Sequence, residues 1–172
     1  SAAHTVLRSA AAKAKTRGDT GLRVLIGESS QLPHVRAELT AAAAVLAPAS
    51  VLMDEAASVQ AALAAMADAD LLHLACHADF RSDSPRHSAL HLNDGVLTAA
   101  EIEEQHIGCG LVVLSACNTG RTDVAIGDEG IGLVRAFLVA GAHEVVASLW
   151  AVDDEATALL MAGFYRHRTH SQ

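Results

Sequence analysis

The feature that most constrains the fold is an apolar run from Gly110 to Leu114, which leads into a small polar turn ending at Gly120. A continuous apolar run of this length is typical of a strand buried on both faces, as in a parallel sheet covered by helices. Cys117 lies where this strand gives way to the turn. Ligands bind outside the carboxyl ends of strands in open α/β sheets, so we expect Cys117 to be a nucleophile. The alternative is a small buried apolar residue, the commoner role of a free cysteine.

Strand and helix patterns alternate along the chain, which predicts an α/β fold with a mostly parallel central sheet. The predicted strands cover 22–26, 50–53, 70–76, 110–117 and 144–150. Between and after them, helices are predicted from Pro33, Ser58, Thr98, Glu129 and Asp153 onward. Thr98 and Glu101 form a capping-box pattern at one of these helix starts.

Two further segments depart from this alternation. Asn93-Asp94-Gly95 separates two short apolar runs and predicts an inserted β-hairpin, because such turns accept positive φ angles. Residues 1–21 are rich in alanine, which favours helix, and are predicted to form an N-terminal helix or linker. The domain itself is therefore expected to cover residues 22–172.

Composition narrows the classes of partner and compartment. A chain of 172 residues fits one domain with a sizeable core. The net charge of −8 argues against nucleic acid or an anionic membrane as a partner, because both attract basic surfaces. No apolar run reaches the roughly 20 residues that span a bilayer. Three cysteines without a signal-like start indicate free thiols in a reducing compartment, so we expect a cytoplasmic location.

A histidine stands at the same predicted edge of the sheet as Cys117. His77 directly follows the predicted strand 70–76, and neighbouring parallel strands lie about 4.8 Å apart. An adjacent imidazole can take the proton of a thiol and leave the nucleophilic thiolate. The two residues are therefore predicted to form a Cys/His dyad, with backbone N–H groups nearby to receive an oxyanion. The alternative for His77 is a loop histidine with a local hydrogen bond.

An alternative prediction is that histidines and cysteines of this region form a metal site. The set would comprise His73, Cys76, His77 and Cys109. The spacing lacks a matching second pair of ligands, and strand alternation sends Cys76 and His77 to opposite faces. We therefore expect no metal, and we expect His73 to be a hydrogen-bonded core residue.

Five segments together resemble a known family. They read LHLACH at 72–77, DGVLTAAEI at 94–102, LSACNTG at 114–120, AGA at 140–142 and SLWAVDD at 148–154. In this order they resemble the CHAT domain, a caspase-like family that is similar to separases, gingipains and caspases. The resemblance covers roughly residues 22–166.

The resemblance implies a three-layer caspase-hemoglobinase fold and a thiol protease, with Cys117 as nucleophile and His77 as its partner. The backbone N–H groups of Ala78 and Cys117 would stabilise the oxyanion. It implies no metal and no organic cofactor, and a protein or peptide substrate bound as an extended strand. It also implies tetratricopeptide-repeat or other regulatory domains within a larger multidomain signalling or defence protein.

Three features bear on activity and specificity. Asp153 and Asp154 follow the last parallel strand and are predicted to bind a basic P1 residue, unless they only cap the final helix. Ala78 stands where the family usually has a glycine after its histidine, and we expect this domain to lack the further strand that usually follows the family's last helix. The alternative to a protease is therefore a catalytically weak or inactive CHAT-like protein-interaction module.

Overall fold

The computed structural model describes residues 4–8, 21–30, 32, 34–117, 131–148 and 154–169. The strands are β1 (His4–Arg8), β2 (Arg23–Gly27), β3 (Ser50–Met53), β4 (Leu71–Asp79), β5 (Ala89–Leu92), β6 (Gly95–Thr98), β7 (Leu111–Cys117) and β8 (Glu144–Ser148). The helices are α1 (Val35–Leu46), α2 (Val59–Asp68), α3 (Ala99–Glu103), α4 (Ile131–Ala140) and α5 (Asp154–Thr169). None of these helices has the length and apolar character needed to cross a bilayer.

The strands form one sheet in the order β1-β8-β7-β4-β2-β3, and β5 and β6 extend from β4 as a hairpin. Strands β3, β2, β4, β7 and β8 are parallel to one another. Numbered along the chain, these five follow the order 2-1-3-4-5, which is common among doubly wound α/β folds. The predicted mostly parallel sheet and its hairpin are confirmed.

Two hydrophobic cores lie on opposite faces of the sheet and give the fold three layers. One core packs β4 residues Leu72 and Leu74 against helices α2, α3 and α4. The other packs Leu71 and Ala75 against α1 and α5. Because successive residues of a strand point to opposite faces, β4 supplies both cores and is buried on both sides.

Strand β4 is longer than predicted. It continues through Asp79 instead of ending at Cys76, so His77 lies inside a strand and not just beyond one. The reason is the hairpin: β2 pairs with β4 only as far as Ala75, and β5 then pairs with residues 77–79. The inserted hairpin thereby prolongs the central strand at its carboxyl end.

The prediction of a helix or linker at the N-terminus is wrong for residues 4–8. These residues form β1, which pairs antiparallel with β8 at the edge of the sheet. The β-branched residues Thr5 and Val6 suit a strand, and pairing with β8 satisfies their backbone groups, whereas the alanines that favour helix lie around them. Residues 9–20 lie outside the described residues.

Local capping signals, in contrast, are confirmed. Thr98 and Glu101 form the predicted capping box at the start of α3. The Ser58 hydroxyl accepts a hydrogen bond from the Ala61 N–H at 3.1 Å at the start of α2. Hydrogen bonding with the cap lowers the pKa of the Glu101 carboxyl. Helices α2 and α3 therefore start where the sequence predicts.

A buried polar network crosses the α1/α5 face of the sheet. Nδ1 of His73 lies 2.8 Å from the Tyr165 hydroxyl, and Nε2 lies 3.1 Å from Oε1 of Glu38. All three side chains are buried, and burial raises the pKa of Tyr165 well above its usual value, so its hydroxyl stays protonated. A hydroxyl that donates to Nδ1 gives the imidazole one hydrogen bond, whereas Nε2 and Oε1 of Glu38 are within ion-pair distance but do not have hydrogen-bond geometry. The network joins α1, β4 and α5.

Replacement of Tyr165 by phenylalanine removes the hydroxyl that Nδ1 of His73 contacts. We expect Tyr165→Phe to lower the free energy of unfolding by about 1–3 kcal/mol, because a buried polar atom loses its partner. Urea denaturation followed by circular dichroism measures this change. In the control variant Thr40→Ala, which removes a hydroxyl bonded to Arg36 on the exposed face of α1, we expect a change within about 0.5 kcal/mol. Equal stability of Tyr165→Phe and the unaltered protein would contradict the proposed network.

Candidate active site

The register between β4 and β7 brings the two predicted catalytic residues together. These strands are paired in parallel from Leu71 and Leu111 onward, and their last pair is His77 with Cys117. Paired residues of neighbouring strands are about 4.8 Å apart. The structure describes the backbone of Cys117, whereas its side chain lies outside the described part. The carboxyl ends of two adjacent inner strands thus meet at the predicted dyad.

His77 lies between two partner strands. On one edge of β4 it is opposite Cys117, and on the other it is opposite His91 of β5. Its side chain is half-buried. By strand alternation it lies on the same face as His73, four residues earlier in the strand. His77 is therefore held in the sheet by pairing on both sides; the residue is partly exposed, and its Nε2 atom is buried.

The other two thiols are unsuited to nucleophilic attack. Cys76 and Cys109 are fully buried. Burial raises the pKa of each to about 12, and the negative charge of Glu28 adds to the effect at Cys76. Neither thiol can supply appreciable thiolate near neutral pH. This leaves Cys117 as the candidate nucleophile among the three cysteines of the chain.

At Ala78, where the resemblance implies a glycine, alanine fits the strand without strain. Among the described non-glycine residues only Asp54 has a positive φ, so the backbone at Ala78 requires no glycine. Its side chain is 3% exposed and packs in the same core as Leu90. The substitution therefore fills the core on the face of the sheet opposite to His77.

The predicted oxyanion donors face into the sheet. The Asp70 carbonyl accepts a hydrogen bond from the Leu111 N–H at 3.0 Å, and the Ala75 carbonyl accepts one from the Glu28 N–H at 3.1 Å. Because peptide groups alternate along a strand, the N–H of Ala78 then faces β7, and that of Cys117 faces β4. Their role as oxyanion donors stays a prediction, and it requires the last pair of the ladder to open.

The two acids predicted to select a basic P1 residue are placed only in part. Asp154 is the first residue of α5, which follows β8, the neighbour of β7. Asp153 and the side chain of Asp154 lie outside the described residues. Their contribution to a pocket stays a prediction.

An Asp–His pair beside His77 was missed by the sequence reasoning. Nε2 of His91 lies 2.8 Å from Oδ2 of Asp79, and the two side chains are 41% and 65% exposed. The hairpin containing His91 was predicted, but its attachment to the end of β4 was not. The available signal was the polar pair at alternate positions 77 and 79, together with a histidine at 91 in the predicted hairpin.

The alternative metal set does not come together. Cys76 and Cys109 pack in the core beneath α2, α3 and α4, whereas His73 lies on the opposite face against Tyr165. Within the described residues, no three histidine, cysteine or acidic side chains are grouped so as to hold a metal ion.

Comparison with known proteins gives a family and a fold. The CHAT domain model matches residues 2–172. Human tetratricopeptide repeat protein 28 is 38% identical over 74 residues, or 43% of this chain, and its mouse counterpart is 36% identical over the same length. The matched segment amounts to 3% of the length of either relative.

A solved structure supports the architecture. The flavodoxin of Streptococcus pneumonia TIGR4 superposes with a TM-score of 0.53 over 88% of this chain and 99% of that chain, at 10% sequence identity. This likeness shows the α/β fold alone. The family match includes β1 as well as every strand of the parallel sheet. With the match extending over nearly its whole length, the chain belongs to the CHAT domain family, which is related to caspase-like proteases.

Proposed function

We propose that this domain is a caspase-like cysteine endopeptidase in which Cys117 is the nucleophile and His77 carries the proton. The observation that supports this proposal is the pairing of the two residues at the end of the β4–β7 ladder. Cys76 and Cys109 are buried with raised pKa values, which supports the choice of Cys117. His77 is partly exposed as a residue, but its Nε2 atom is buried, so the proposed proton transfer uses Nδ1 or requires the ring to turn.

The proposed reaction is acyl transfer. His77 accepts the proton of the Cys117 thiol, and the thiolate attacks the carbonyl carbon of the scissile peptide. As the C–N bond breaks, the imidazolium returns the proton to the leaving amine. Water, deprotonated by His77, then attacks the thioester and releases the new carboxyl group and the thiol. No cofactor enters this scheme, and the proposed oxyanion donors are the N–H groups of Ala78 and Cys117.

The proposed substrate is a protein or peptide with a basic residue at P1, recognised by Asp154 and Asp153. A carboxylate binds guanidinium or ammonium groups through charge-assisted hydrogen bonds. The proposed context is a larger multidomain signalling or defence protein with a tetratricopeptide-repeat or other regulatory domain. The name of the human and mouse relatives, tetratricopeptide repeat protein 28, supports that context.

A second candidate is a catalytically weak or inactive protein-interaction module. It is favoured by one observation, the direction of the Ala78 and Cys117 N–H groups into the β4–β7 ladder. A closed ladder provides neither group to an oxyanion, which would cost much of the stabilisation of the transition state. The two candidates differ in whether Cys117 reacts in a way that depends on His77.

Alkylation distinguishes the three thiols. We expect iodoacetamide to label Cys117 in the folded protein at least about tenfold faster than Cys76 or Cys109, because a thiolate is needed and the buried thiols do not ionise. His77→Ala should slow the labelling of Cys117, whereas His106→Ala, at an exposed site after α3, should not. Peptide mass spectrometry over a time course gives the three rates. Equal rates at all cysteines, or no effect of His77→Ala, would favour the interaction module.

A cleavage screen tests the reaction and its P1 preference. With peptides that differ at P1, we expect cleavage after Arg and Lys, and a loss of about 100-fold or more in kcat/KM for Cys117→Ala. Asp154→Asn should lower kcat/KM for Arg peptides by about tenfold, because a charge-assisted contact is lost. Glu104→Gln is the matched control, since it neutralises an exposed acid at the end of α3. Cleavage after Leu or Asp alone would contradict the proposed acidic P1 pocket but would remain consistent with the proposed Cys/His dyad.

A further inference from the structure

We propose that Asp79 and His91 form a subsite for the substrate residue that follows the scissile bond, and that this P1′ subsite favours a basic side chain. The inference rests on the proposed roles of Cys117 and His77. It concerns the side of the substrate opposite to the P1 residue, and its acid, Asp79, is different from those proposed for P1.

The order of strands gives the direction in which a substrate must lie. In acyl transfer by a thiol and an imidazole, sulfur bonds to the carbonyl carbon and the imidazole protonates the amine nitrogen. The leaving part of the substrate therefore lies on the imidazole's side of the thiol. Cys117 is on β7, His77 is on β4, and β5 is on the far side of β4. The residue after the scissile bond is thus directed toward β5.

Asp79 and His91 occupy that position. His91 is paired with His77 across the β4–β5 ladder. Asp79 is two residues beyond His77, on the same face of β4 by strand alternation. Oδ2 of Asp79 lies 2.8 Å from Nε2 of His91. The pair is therefore adjacent to His77 on the face that carries its imidazole.

The chemistry of the pair suits a cation. Asp79 is 65% exposed, and its ion-pair partner among the described residues is His91, which is charged only when protonated. The His91 contact engages one oxygen of the carboxylate, Oδ2. A carboxylate has capacity for about four hydrogen bonds, so a lysine ammonium or an arginine guanidinium can bind without displacing His91.

The hairpin that carries His91 is anchored to the body of the domain. The Asn93 N–H donates to the Ala57 carbonyl at 3.0 Å, and Oδ1 of Asp94 accepts from the Val59 N–H at 2.7 Å. At its other end, the Ser88 carbonyl accepts from the Ala99 N–H at 2.8 Å. A subsite on such a fixed element holds its geometry when a substrate binds.

Peptides that share one P1 residue and carry Lys, Gln or Glu at P1′ test the subsite. We expect the unaltered protein to prefer Lys over Glu, and Asp79→Asn to lower the Lys-to-Glu ratio of kcat/KM by about three- to tenfold. The loss should appear mainly in KM for the Lys peptide and should be smaller for the Gln peptide, whose P1′ side chain carries no charge. Asp83→Asn, which neutralises an exposed acid in the loop after β4, should keep the original ratio.

Binding to Cys117→Ala separates this proposal from the proposed function. Fluorescence anisotropy with the same labelled peptides gives Kd values without cleavage, and we expect tighter binding of the Lys peptide that is lost on adding Asp79→Asn. Equal Kd values for the Lys and Glu peptides would overturn the subsite, whatever the cleavage assay shows. P1′-dependent binding without any cleavage by the unaltered protein would keep the subsite and overturn the endopeptidase.

Discussion

The parallel ladder between β4 and β7 is the interaction on which the site depends. It contains seven register pairs and begins where the Asp70 carbonyl accepts from the N–H groups of Gly110 and Leu111, both at 3.0 Å. Its last pair is the proposed dyad. A slip of one residue would turn every side chain of one strand to the opposite face of the sheet. The proposed dyad therefore depends on the register of β4 and β7 as well as on the presence of a cysteine and a histidine.

Apolar pattern alone would specify that register weakly, because β4 and β7 are buried on both faces. A shift that exchanges the faces of Leu71 and Leu72 still buries leucine on both sides. The network of Glu38, His73 and Tyr165 removes this degeneracy, since His73 finds its partners only on the α1/α5 face. A slipped strand would bury an imidazole among apolar side chains on the other face, at a cost of a few kcal/mol. The polar network and the dyad are thus linked through one strand.

The same strand shows how position separates a structural thiol from a candidate nucleophile. Cys76 directly precedes His77, yet it points into the opposite core and its pKa is raised to about 12. Cys117 is on the neighbouring strand at the level of His77, where the buried ladder ends. Across this edge the strands are ordered β8, β7, β4 and β5. The proposed nucleophile lies on β7, the proposed proton carrier on β4, and the proposed P1′ pair on β4 and β5.

The sequence by itself determined the features that depend on residues close to one another in the chain. Each of these features has a signal that lies within a few residues: the apolar runs of β2, β4, β7 and β8, the Asn93-Asp94 turn and the Thr98–Glu101 cap. The motifs that predicted Cys117 and His77 at one edge of the sheet are equally local. Only the tertiary structure decided the pairing of β1 with β8, the extension of β4 by β5, the Asp79–His91 pair and the contact of His73 with Tyr165, 92 residues away. These features depend on which elements pack together. The neighbour of a strand and the hydrogen-bond partner of a buried side chain are set by the packing of the whole chain, so neither leaves a local sequence pattern.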